Sequence, residues 1–93
     1  MENDIIINIT SPEDVRSVVE RVIKDKVESI AKFLNIREVK AVLQTSGDKK
    51  RWEIKLNVIG EKDFHISVER NDIYEAINEA LDKLEELARK EKR

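Results

Sequence analysis

The sequence predicts an α+β fold. The expected form is a β-α-β-β-β-α two-layer sandwich with a four-stranded sheet, its last three strands an antiparallel meander, and two helices packed on one face. Three patterns predict it. Four short segments alternate apolar and polar residues with the period of a strand. Two longer segments carry apolar residues at helical spacing. Only short polar turns separate the last three strands, so they pair as antiparallel neighbours, and the helices must cover the apolar sheet face.

Residues 4–10, DIIINIT, read as the first strand. Ile5, Ile7 and Ile9 share one face, with Asn8 and Thr10 on the other. SPEDV then reads as a helix start. Ser11 is suited to cap, Pro12 fits the first helical position, and Glu13 and Asp14 meet the positive end of the dipole. The helix is expected to run to about Leu34. Its apolar stripe takes in Val15, Val18, Val19, Val22, Ile23, Val27, Ile30, Phe33 and Leu34. Opposite charges alternate at i to i+4 on its other face: Arg16 with Glu20, Glu20 with Lys24, Arg21 with Asp25, Lys24 with Glu28, Glu28 with Lys32.

Strands follow over residues 37–45, 51–59 and 64–69. Val39, Ala41 and Leu43 face inward, then Trp52, Ile54, Leu56 and Val58, then Phe64, Ile66 and Val68. The first turn, SGDKK, offers Gly47 for positive φ, and GEKD, with Gly60, turns the chain again. The last helix starts near Asn71 or Asp72, either of which can cap. It buries Ile73, Ile77, Ala80, Leu81, Leu84 and Leu87. Glu79 with Lys83, Glu85 with Arg89, and Glu86 with Lys90 are its expected surface pairs. With no linker, repeat or low-complexity tract, residues 1–93 are expected to form a single domain.

Composition narrows the function. The chain has 93 residues and is 41% charged, well above the usual quarter, yet its net charge is only −2. No global field therefore favours nucleic acid. Cysteine is absent, which excludes disulfides, thiolate catalysis and cysteine-based zinc sites. One histidine cannot make a multi-histidine metal site, and two glycines cannot make a phosphate-cradling loop. His65, Ser67 and Glu69 share the polar face of a strand. They stand in a row about 7 Å per step, too far apart for a hydrogen-bonded relay. No catalytic residue, cofactor or metal is expected, and the chain is not expected to be an enzyme. With no apolar run long enough to span a bilayer and an acidic N-terminus, no membrane association is expected, and the expected location is cytoplasmic. Sheet recognition of single-stranded RNA calls for exposed aromatics, but Trp52 and Phe64 fall on the apolar face. The basic runs KKR and RKEKR read first as a soluble turn and a dipole-complementing helix end.

The strand order, together with INIT at 7–10 and DIYEAIN at 72–78, resembles the ribosome hibernation-promoting factors, a family of ribosome-associated translation inhibitors. Asp72, Tyr74, Ala76, Ile77 and Lys83 sit where that family's last-helix pattern would put them. The resemblance implies binding to rRNA of the small ribosomal subunit, in the channel used by mRNA and tRNA, and inhibition of translation. It would place Lys26, Lys32, Lys83, Arg89, Lys90 and Lys92 against rRNA phosphates. Glu85 and Glu86 depart from the family's arginine-bearing continuation, and Trp52, Ile54 and Ile66 are larger than is usual there. Clean alternation, regular i to i+4 pairing and the absence of cysteine match design practice and also suit a thermophile. The leading expectation is therefore a designed or heavily redesigned, thermostable domain, monomeric rather than dimeric, requiring no partner and having no activity of its own. The alternative is a ribosome-binding translation inhibitor.

Overall fold

The computed structural model describes residues 5–91. In chain order they form β1 (Ile6–Thr10), a short 3-10 turn (Glu13–Val15), α1 (Arg16–Ile30), β2 (Ile36–Thr45), β3 (Trp52–Gly60), β4 (Phe64–Arg70) and α2 (Ile73–Glu91). The sheet order is β1-β2-β3-β4. The meander is antiparallel as the short turns require, and β1 runs parallel to β2. A parallel neighbour needs a crossover, which α1 supplies.

Register builds the core row by row. Ile7, Val39, Val58 and Phe64 lie side by side across the sheet, as do Ile9, Ala41, Leu56 and Ile66, then Leu43, Ile54 and Val68. Val19, Ile23, Val27 and Ile30 of α1 close over this face, with Ala76, Ile77, Ala80, Leu81, Leu84 and Ala88 of α2. Each fully buried Val, Leu or Ile contributes about 1.5–3 kcal/mol as an upper figure, so apolar burial is the main source of stability. Val18 departs from the expected stripe. It stands 44% exposed, because it lies off the line through Val19 and Ile23 that meets the sheet.

The helix ends differ in detail from expectation. Ser11 does not cap α1; its hydroxyl donates to the Pro12 carbonyl, and the chain enters through the 3-10 turn. The α-helix closes at Ile30, and turns carry the chain through Phe33 and Leu34, whose N–H groups both donate to the Ile30 carbonyl. Of the two candidates at α2, Asp72 caps: its carboxylate accepts the Glu75 N–H at 3.0 Å. Asp72→Ala is expected to cost about 1 kcal/mol, read as a lower urea midpoint.

The β2–β3 hairpin uses its polar residues rather than its glycine. Lys49 takes the positive φ, at 61°, and Gly47 does not. Asp48 accepts the Ser46 hydroxyl at 2.6 Å and the Lys50 N–H at 3.1 Å, and these bonds hold its carboxyl below the usual range. This side-chain turn fixes the loop strongly enough to carry a lysine through the left-handed region.

Candidate nucleic-acid interface

The helices lie side by side and point the same way. Lys26 meets Glu85, and further along Arg89 stands 5.1 Å over the Phe33 ring, so the contacts advance together toward both C-termini. An open groove between the helices is lined by Val22, Asp25, Lys26, Asn78, Leu81 and Asp82.

Beyond the groove, three contacts draw separate segments into one pole. Asn35, after α1, accepts the Glu61 backbone N–H at 3.0 Å. Lys62, in the β3–β4 turn, pairs with Glu91 at the end of α2 at 3.9 Å. Arg89 covers Phe33. Lys32, Arg37, Lys62, Arg89 and Lys90 therefore gather at one end of the molecule, among the acids Glu61, Asp63 and Glu91. Lys92, next in sequence after Glu91, lies outside the described residues. Lys32, Arg37 and Lys90 are exposed, and none has an ion-pair partner among the described residues. Both helix C-termini also face this pole. Their partial negative charge favours bases there, which gives the cluster a structural role besides any ligand.

The six bases marked by the resemblance thus do not form one patch. Lys32, Arg89 and Lys90 belong to the pole. Lys26 sits in the groove, bound to Glu85 at 2.6 Å. Lys83 lies on the opposite flank of α2, 3.7 Å from Glu79, beside His65, Ser67, Glu86 and Leu87. Arg37 and Lys62 were not legible as members: Arg37 stands at the start of β2 next to the Asn35–Glu61 contact, and Lys62 reaches the end of α2 through Glu91. Of the pairs expected on α1, only Arg16–Glu20 forms among the described residues, at 3.1 Å. On α2, Glu79–Lys83 and Glu85–Arg89 form.

Glu85 is the most engaged of these charges. It accepts from Lys26 across the groove and from Arg89 Nη2 at 2.8 Å along its own helix. The Lys26 bond first, then the Arg89 bond, hold its carboxyl below the usual glutamate range. A carboxylate depressed in the folded state stabilises the fold above its unfolded pKa. That contribution falls away as pH drops through the lowered value.

Elsewhere, His65 is hydrogen-bonded to Asn57 across the outer sheet face, its neighbour in register. Among the described residues no group of three His, Cys, Asp or Glu could hold a metal ion. No helix among them is long and apolar enough to cross a membrane.

Comparison with known proteins decides the lineage. The sigma 54 modulation protein / S30EA ribosomal protein family matches residues 6–93. The chain belongs to this family. The N-terminal domain of Thermus thermophilus Protein Y has a similar structure, with TM-score 0.69, 23% identity, and 96% of this chain covering 98% of that one. A ribosomal subunit interface protein from Coxiella burnetii is also similar, with TM-score 0.62, 15% identity, and 95% of this chain covering 96% of that one. At those identities the likeness speaks for the fold, and it agrees with the four-stranded mixed sheet under two helices. No curated protein sequence matches the chain.

Membership in the S30EA family overturns the expectation of a designed domain with no activity and no required partner. Clean alternation and well-placed turn chemistry are what any foldable sequence needs, so they do not separate design from natural descent. The description of the S30EA family names a modulation protein and a ribosomal protein, and no catalysed reaction. Thermostability rested on the same patterning and has no support from the family.

Proposed function

We propose that this chain is a ribosome-associated factor that binds the small ribosomal subunit and restrains translation by occupying the mRNA and tRNA channel. Its primary contacts are the bases of the pole, Lys32, Arg37, Lys62, Arg89 and Lys90, and Lys92 is a further candidate from the family likeness. Lys26 and Lys83 add contacts on the two flanks of α2. No cofactor is required, the chain acts as a monomer, and its place is the cytoplasm. The observation that carries the reading is the S30EA family match over nearly the whole chain. The basic pole supports it, because phosphate contacts need local rather than global positive charge.

Cosedimentation with purified small subunits tests the proposal. Saturable binding that weakens steeply with salt is expected. No binding at low salt would sink it.

A further inference from the structure

The family match leaves the double engagement of Glu85 without a purpose. Lys26 from α1 and Arg89 from α2 are both drawn onto its single carboxylate, and Arg89 also lies over the Phe33 ring. Two cations from different helices converging on one anion have the makings of an oxyanion seat, and a guanidinium is suited to a phosphate as well as to a carboxylate. The ring beneath Arg89 holds the guanidinium plane whether or not Glu85 is engaged. The groups are only partly covered: the Lys26 and Glu85 side chains are 33% and 25% exposed. An incoming anion can therefore reach them without opening the core.

We propose that Lys26, Arg89 and Phe33 form a seat for a phosphate of bound RNA, which Glu85 fills while the RNA is absent. The proposal rests on the RNA-binding reading above. On binding, a phosphate oxygen takes over the Lys26 and Arg89 hydrogen bonds, and the Glu85 carboxylate turns to water. Glu85 thereby lowers RNA affinity, since every phosphate contact at the seat first displaces an internal one. Asp25 and Asp82 line the adjoining groove and oppose a second anion there. The seat consequently holds one phosphate, not a run of them.

The test compares Glu85→Gln with Glu86→Gln, an equal charge change at the next residue of α2, whose carboxylate engages neither Lys26 nor Arg89. Binding of a labelled oligouridylate is read by fluorescence anisotropy at two salt concentrations. Glu85→Gln is expected to bind about fivefold tighter than Glu86→Gln at low salt, with a salt slope steeper by roughly 0.7 for the one single-strand phosphate the seat holds. Adding Lys26→Met to Glu85→Gln is expected to remove the gain. Equal affinity of the two glutamine variants, or a gain that survives Lys26→Met, overturns the proposal. Should Glu85→Gln fail to fold, the Arg89 Nε–H resonance of the unaltered chain decides instead: it must shift on adding oligouridylate, and a fixed resonance overturns the proposal. Absence of small-subunit cosedimentation by the unaltered chain fells the ribosome reading alone, because the oligouridylate comparison judges the seat by itself.

Discussion

Gly60→Ala is expected to destabilise the fold by about 3 kcal/mol, at the upper end of what overpacking a well-packed site costs. Gly60 has no positive φ, so backbone strain is not the cause. The cause is space. A Cβ at this position would stand 2.2 Å from the Asn35 carbonyl oxygen and 2.9 Å from the Ile36 Cα. Neither atom belongs to a flexible side chain. The Asn35 oxygen is held by the Glu61 N–H at 3.0 Å, and the Asn35 N–H donates to the Glu61 carboxylate at 3.2 Å. Ile36 is already the partner of Gly60 in the ladder, beside a register shift between Ile36 and Glu38. Relief would have to break this clasp or slide β2 along β3, and a one-residue slip would turn its apolar face outward. Gly47→Ala is the control. It has nothing within 4 Å and no positive φ, so its effect is expected below about 1 kcal/mol and towards stabilisation. Urea melts of both variants, with unchanged slopes, check the contrast. A Gly60→Ala midpoint equal to that of the parent would remove the steric account.

Gly60 marks the boundary of what the sequence could reveal. Its turn-like neighbours, GEKD, announce a turn, but the close approach of Asn35 comes from 25 positions away and leaves no local pattern. The fold itself was legible because strand and helix periods are local and each apolar face has one place to go. Trp52, Ile54, Leu56 and Val58 face inward as read, and Ile73, Ile77, Ala80, Leu81, Leu84 and Leu87 lie toward the core. Termini were less legible. Ser11 had the right chemistry to cap, and the 3-10 turn gave its hydroxyl a different partner. The functional surface was legible only in part. Lys32, Arg89 and Lys90 could be marked from family likeness, whereas Arg37, at the start of β2, and Lys62, in the β3–β4 turn, join them through contacts between segments distant in sequence. Charge pairing was misjudged for a related reason. Spacing of i to i+4 shows only partners on the same helix, whereas Lys26, which has no acid at that spacing, finds Glu85 on α2.

The pole makes the second strong prediction, in binding rather than stability. Lys32→Gln, Arg37→Gln and Lys90→Gln combined are expected to lower the salt slope of small-subunit binding by about 2 to 3, at roughly 0.7–0.9 for each phosphate left without its base. Fold stability is expected to change little, since exposed charges without partners contribute under about 0.5 kcal/mol each. The informative control removes the same charge elsewhere. Arg21, Lys24 and Lys55 are exposed and likewise without an ion-pair partner among the described residues, but they stand on the outer face of α1 and the open face of the sheet. If net charge alone governed binding, their triple glutamine variant would lower the slope equally. If the pole is the binding surface, the control's slope falls by less than about one unit while that of the pole variant falls by the full amount. The net charge of −2 makes the comparison decisive, because a chain with no favourable global field can bind a polyanion only through where its bases are placed.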